Sequence, residues 1–241
     1  MKKIILSKPR GFCAGVVRAI NTVEEALAKF GSPIYIKHEI VHNKHVVDDL
    51  KEKGAIFIED LNEVPKNSYL IYSAHGVSPK VRQIAKTRNL IVIDATCPLV
   101  TKIHSALKRF ASKGYKNVLI GKKKHVEIVG AYEEAPHSTT IVERVSDVEK
   151  LDINPDEKVF YVIQTTFSLD DVKDIIKALQ EKFKNLETLP SSSICYATQN
   201  RQNALKHISQ SSDLVLVIGD PKSSNSNRLC ELAKKMGLVA Y

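Results

Sequence analysis

Short runs of apolar and β-branched residues alternate with longer amphipathic stretches along nearly the whole chain. The runs are "KIILS" (3–7), "PIYIK" (33–37), "AIFI" (55–58), "SYLIYS" (68–73), "NLIVID" (89–94), "NVLIG" (117–121), "TTIVE" (139–143), "KVFYVIQ" (158–164) and "DLVLVIG" (213–219). Continuous apolar runs of this length, rather than strict alternation, are what strands buried on both faces show. Between them lie segments such as "VVRAINTVEEALAKFG", "VTKIHSALKRFASKG", "LDDVKDIIKALQEKF" and "NRLCELAKKMG". Their apolar residues recur at helical spacing, and several end in Gly, the usual residue just past a helix. Strand and helix signals in alternation predict an α/β protein with mostly parallel sheets.

A weak internal repeat sharpens this. "CAGVVRAINTVEEAL", "CPLVTKIHSALKRF" and "CYATQNRQNALKHI" align on Cys13, Cys97 and Cys195, which lie 84 and 98 residues apart. Each follows an extended segment and opens a helical pattern with a basic residue one to two turns in. Three comparable α/β units are the simplest description. They are expected at 13–96, at 97–194, and at 195–241 together with 1–12. Packed about a pseudo-threefold axis, such units would bring their cysteines together at the centre.

Composition narrows the function classes. The chain has 241 residues, of which 43% are hydrophobic and 26% charged, the balance of an ordinary globular protein. No apolar stretch approaches the ~18 residues of a membrane span. The apolar run in "MKKIILSKPR" is too short for a signal-peptide core, so a cytoplasmic location is expected. In that setting four cysteines argue for metal or redox chemistry rather than a disulfide framework. The net charge of +9 suits anionic partners: nucleic acids, phosphorylated metabolites or acidic proteins. Nucleic acid is set aside, because no recognition motif or interleaved aromatic residues accompany the charge.

A thiol at a helix N-terminus faces unpaired N–H groups and the positive dipole end, which favours the metal-binding thiolate. Three such thiols suit a zinc site with an open position or an iron–sulfur cluster with one unligated iron. Without a C-x-x-C motif, spacing does not choose between them. Cys230 lies on an apolar helix stripe and reads as core. A second group of candidates sits at strand ends: His42, His75, His125, Glu127, Thr165, Thr166, Ser223, Ser224 and Asn225. Parallel sheets bind ligands outside the carboxyl ends of their strands, so these residues are expected to share a crevice. They are neutral or cationic donors with one carboxylate, a set suited to a diphosphate. Near thiolates and an anion, Glu127 would be driven toward its protonated form and could donate protons. His38, His45, His104, His137 and His207 read as structural.

"PRGFCAGVVRAI", "EIVHN", "SAHGV", "DATCPLVTKIH", "QTT", "ICYATQNRQ" and "SSNSNR" occur in this order. Together they resemble the 4-hydroxy-3-methylbut-2-enyl diphosphate reductase family, also called LytB, from residue 3 to the last residue. The resemblance implies three α/β units around a central 4Fe–4S cluster held by Cys13, Cys97 and Cys195. It implies reductive removal of the substrate's allylic hydroxyl to give isopentenyl and dimethylallyl diphosphate, the last step of the non-mevalonate isoprenoid pathway. His42, His75, His125, Ser223, Ser224 and Asn225 would hold the diphosphate. Thr165 would lie near the substrate hydroxyl, and Glu127 would relay protons. An acidic electron carrier such as ferredoxin or flavodoxin is the implied partner. Two departures stand out. Val126 replaces the proline that usually follows the histidine in the family's H-P-E-V loop. The family's serine-bearing substrate segment and closing helix would fall near 255–263, past Tyr241, which implies a fragment or an inactive copy and an exposed apolar edge at "GLVAY". A zinc or purely structural three-cysteine protein is the alternative reading.

Overall fold

The computed structural model describes residues 3–190 and 193–241. It is an α/β structure with three parallel sheets. The first is made by β1 (Ile34–Lys37), β2 (Ala55–Ile58), β3 (Tyr69–Tyr72) and β4 (Ile91–Asp94), in the order β2-β1-β3-β4. Helix α1 (Ala14–Phe30) leads into β1, while α2 (Lys44–Glu52) and α3 (Pro79–Thr87) make crossovers between strands. The second sheet contains β5 (Lys116–Ile120), β6 (Thr139–Val142), β7 (Lys158–Ile163) and β8 (Asn185–Thr188), in the order β6-β5-β7-β8. Its helices are α4 (Pro98–Ser112), α5 (Val126–Tyr132), the short α6 (Val145–Glu149) and α7 (Leu169–Lys182). The third pairs β9 (Leu214–Val215) with β10 (Val239–Ala240), and carries α8 (Tyr196–Ser209) and α9 (Ser224–Lys235).

The three sheets share one connectivity. A cysteine-led helix (α1, α4, α8) precedes the first strand, and a second helix (α2, α5, α9) returns to a parallel neighbour. This is the architecture that the repeat of cysteine-headed segments predicts. Amphipathic periodicity becomes packing: α1 buries Ala19, Val23 and Ala26, while Ile34, Ile36 and Ile71 of the first sheet are fully buried beside them. In the second sheet Phe160 of β7 stacks on Phe110 of α4, with ring centroids 3.7 Å apart and planes 3° from parallel.

Three segments depart from expectation. Residues 3–7 form no strand, and Ile4 and Leu6 are 86% and 64% exposed. The run at 213–219 is strand only over 214–215, with one further backbone bond from Val217 N–H to the Tyr241 carbonyl, and Leu216 and Ile218 stand in solvent. A strand needs an edge to bond to, and only β10 lies along this one among the described residues. Exposed apolar surface is therefore present on the third sheet, with Val239 also outward. Conversely "NLET" forms β8, although only Leu186 among its residues is strongly apolar; it is an edge strand, recruited by pairing with β7. Cys230 is half-buried rather than deep in the core.

Phe160 is fully buried, and truncating it leaves a cavity against Phe110. Phe160→Ala is expected to destabilise the fold by about 3–5 kcal/mol, read as a fall in the midpoint of urea unfolding.

Candidate functional site

All three cysteines of the repeat occupy the same local position, the N-cap of the helix they precede: Cys13 for α1, Cys97 for α4 and Cys195 for α8. In none does the side chain make the cap hydrogen bond that Ser, Thr, Asp or Asn would make there. The three sulfurs are therefore free to face something else. Each cysteine is half-buried and unpaired as a disulfide. Burial raises the Cys97 thiol pKa, the amides of Leu99 and Val100 oppose this, and the nearby Cys195 and Cys13 reinforce it.

Gly15 explains how the thiols are accommodated. A Cβ at this position would lie 3.1 Å from the Cys97 sulfur and 3.8 Å from the Cys13 sulfur. Any side chain would fill the space between the two thiols. Among the described residues, no group of three or more His, Cys, Asp or Glu is placed to hold a single metal ion. What the chain provides is the Cys97 and Cys13 sulfurs beside a glycine that adds no side chain between them, with Cys195 nearby.

Two backbone hydrogen bonds attach this set to the strand ends. The Cys97 N–H donates to the Ala74 carbonyl at 3.0 Å, directly before His75, and the Cys195 N–H donates to the Thr165 carbonyl at 3.1 Å. The strand-end candidates are thereby drawn to the thiols. His42 and His75 stand with ring centroids 4.3 Å apart, and His125 closes the group at 5.6 Å and 6.1 Å. His42 follows β1, His75 follows β3, and His125 comes from the second sheet as the N-cap of α5. The turn beside His75 relies on Gly76, whose φ of +75° suits glycine.

His125 has a defined tautomer. Its Nδ1 accepts the N–H of Glu127 at 3.2 Å, so the neutral ring carries its proton on Nε2. That Nε2 is buried and unpartnered among the described residues, a donor lacking an acceptor. Burial lowers the His125 pKa to about 4, aided by His42 and Lys122. Burial also takes His75 well below the ordinary imidazole value, with His42, His125 and His38 adding to the effect.

Glu127 is only 4% exposed. One carboxylate oxygen accepts the Thr165 N–H at 2.8 Å, and the other pairs with the Thr165 hydroxyl at 2.8 Å. Burial raises its pKa, while the Thr165 bonds and His104 pull the other way. Thr166 continues the line: its hydroxyl donates to Ser224 Oγ at 2.9 Å, joining the second sheet to α9. Ser223 caps α9 by accepting from Ser226 N, and the buried Asn225 Oδ1 lacks a partner among the described residues.

The chain matches the family model described as LytB protein over residues 4–241. The chain belongs to the LytB family. A protein named 4-hydroxy-3-methylbut-2-enyl diphosphate reductase from Chlamydia trachomatis serovar D is 62% identical over 240 residues, covering 100% of this chain and 78% of the relative. One of the same name from Protochlamydia amoebophila is 64% identical, covering 99% of this chain and 76% of that one. Among solved structures, the E-1-hydroxy-2-methyl-but-2-enyl-4-diphosphate reductase from Plasmodium falciparum superposes with a TM-score of 0.95 at 54% identity. It aligns with 97% of this chain, which spans 74% of it. A second, described as the terminal enzyme of the non-mevalonate pathway, gives a TM-score of 0.74 at 30% identity, with 99% and 84% covered.

Three parts of this LytB site had no sequence signal. Gln164 accepts Lys122 N and donates to Thr166, both at 2.9 Å, so it ties two strand ends together. His104 is buried with Nδ1 2.8 Å from Glu134, which also takes Arg82 of α3 at 2.5 Å. Glu39 lies 3.3 Å from His42 Nδ1 and 2.5 Å from Lys222, joining the His42 loop to the one before α9. Each pairing spans residues far apart in sequence or hidden inside a loop; spacing does not reveal it. At the Val126 departure, α5 starts at Val126 all the same, with His125 as its cap.

Folded His125 resists protonation until about pH 4, whereas an unfolded histidine takes up its proton near pH 6.5. Below pH 6.5 the unfolded state binds more protons, so this group's contribution to stability is lost as pH falls toward about 4. His125→Asn, which keeps an N-cap acceptor, is expected to flatten that part of the stability profile. Urea titrations of the metal-free protein at a series of pH values between 7 and about 4 measure the difference.

Proposed function

We propose that this chain is a 4-hydroxy-3-methylbut-2-enyl diphosphate reductase that converts its allylic diphosphate to isopentenyl and dimethylallyl diphosphate. The observation that carries the reading is the juxtaposition of three N-cap thiols, two of them flanking Gly15, with three clustered histidines and the Glu127–Thr165 pair. Family membership and the names of the relatives support the same reaction. Three thiols at helix N-termini fit a 4Fe–4S cluster held by Cys13, Cys97 and Cys195, one iron being left without a protein ligand. When bound, such a cluster supplies the electrons and polarises the departing hydroxyl.

The protein residues perform the rest. His42, His75, His125, Ser223, Ser224 and Asn225 hold the diphosphate. The unpartnered Nε2–H of His125 is a donor built for an anionic oxygen, and Ser224 stands at the first position of α9, where N–H groups are unpaired. Glu127 keeps its proton to higher pH than an exposed glutamate. Thr165, bonded to it by both backbone and hydroxyl, stands beside the substrate hydroxyl and connects it to that carboxyl. The proton leaves Glu127 through Thr165 for the hydroxyl, which departs as water as its C–O bond breaks; two electrons and a second proton, taken up from solvent at carbon, form the new C–H bond. Electrons come from an acidic carrier of the ferredoxin or flavodoxin type, drawn by the +9 charge. We assign the units to 13–96, 97–194, and 195–241 with 1–12, of which residues 1 and 2 lie outside the described residues, and place the enzyme in the cytoplasm.

Anaerobic incubation with iron and sulfide is expected to give brown protein with broad visible absorbance, and Cys13→Ser is expected to abolish it. Protein that stays colourless would overturn the cluster assignment and favour a zinc or structural role. With a chemical reductant, Glu127→Gln is expected to lower turnover about 10²–10⁴-fold while leaving diphosphate binding, followed by calorimetry, within a few-fold. Equal turnover in both proteins would remove Glu127 from the mechanism.

A further inference from the structure

Each cysteine-led helix carries a basic residue just over one turn in: Arg18 in α1, Lys102 in α4 and Arg201 in α8. The sequence pattern contains this feature, and the chemistry above leaves it unused. Arg18 and Arg201 each reach from their own helix to the segment that leads into the next cysteine of the set. Arg18 Nη1 donates to the Thr96 carbonyl at 3.0 Å, one residue before Cys97. Arg201 Nη1 donates to Ala197 of its own helix at 2.8 Å, and its Nη2 donates to the Gly11 carbonyl at 2.6 Å, two residues before Cys13. Both contacts thus run in the same sense, from one cysteine-led helix to the segment before the next cysteine. Helix α8 holds the approach to Cys13, and the helix that Cys13 opens holds the approach to Cys97. Lys102 stands at the matching place in α4.

Arginine suits the task. Its planar fork lets Arg201 grip its own helix with one nitrogen and the loop before Cys13 with another, and hydrogen bonds from a charged donor are among the stronger ones. The held segments also need a tie. The stretch before Cys13 joins no strand, and Gly11 has a φ of +78°. Its sulfur position would otherwise follow a loose loop.

We propose that Arg18 and Arg201 are positioning residues for the cysteine set: clasps from one cysteine-led helix to the loop before the next cysteine, which hold the loops carrying Cys97 and Cys13 at the spacing a bound cluster needs. The proposal rests on the iron–sulfur reading above, and its test separates the two. Hydrogen exchange of the metal-free protein reports on the loops whether or not a cluster ever binds. Arg201→Gln is expected to speed exchange of peptides covering residues 11–17 about tenfold, the effect of losing one charge-assisted hydrogen bond, and to leave residues 94–101 unchanged. Arg18→Gln is expected to do the reverse. A structural defect without direction would move both segments in both variants. In cluster-loaded protein, each variant is expected to lose its visible absorbance to an iron chelator about tenfold faster than the parent. Where a Gln variant fails to fold, Arg201→Lys and Arg18→Lys keep the charge and carry the same crossed readout. Unchanged exchange at the partner loop, or uncrossed changes, would overturn the proposal. A parent protein that never takes up a cluster would overturn the iron–sulfur reading instead.

Discussion

The arrangement depends on two backbone hydrogen bonds, from Cys97 N to the Ala74 carbonyl and from Cys195 N to the Thr165 carbonyl. Each joins the start of a cysteine-led helix to the end of the last inner strand of the preceding sheet. The register of those strands is set by parallel pairing, Tyr72 against Asp94 in one sheet and Tyr161 against Thr188 in the other. Moving a strand by one residue would turn its side chains to the opposite face. It would also carry the acceptor carbonyl, and with it the thiol, out of place. Sulfur placement is thus inherited from sheet geometry rather than built by the loops alone.

The same bonds bring two chemistries together. At the strand ends, thiols at positive helix ends meet the imidazoles of His75 and His125, whose pKa values burial lowers. The net charge of the chain is strongly positive, yet these two inner rings resist taking a full charge. Long-range attraction is left to surface lysines, while the pocket offers N–H and O–H groups that cost less to desolvate than bare cations. Glu127 fits this economy, because its paired bonds to Thr165 satisfy both oxygens inside a buried wall.

Much of this was legible in the sequence because it follows from local rules. Fully buried strands such as β3 and β5 appear as unbroken apolar runs, and the three cysteine-headed helices appear as a repeat. His42, His75 and His125 were legible as strand-end residues, since a parallel sheet gathers what lies past its carboxyl ends. The failures are equally physical. "KIILS" has the composition of a strand but finds no edge, whereas "NLET" lacks the composition and is recruited by β7. The bond between His104 and Glu134 joins residues 30 apart, which no local pattern encodes. The reach of Arg18 and Arg201 to the segments before Cys97 and Cys13 was visible only as an unexplained basic residue after each cysteine.

His125 illustrates what the compactness of the site entails. One nitrogen of its ring ends the helix that carries Glu127, and the other is left facing inward without a partner. Architecture and recognition therefore share a single imidazole. Along an evolutionary lineage such a position is constrained twice over. A replacement that still starts the helix would forfeit the inward donor, and one that keeps an inward donor would release the helix start.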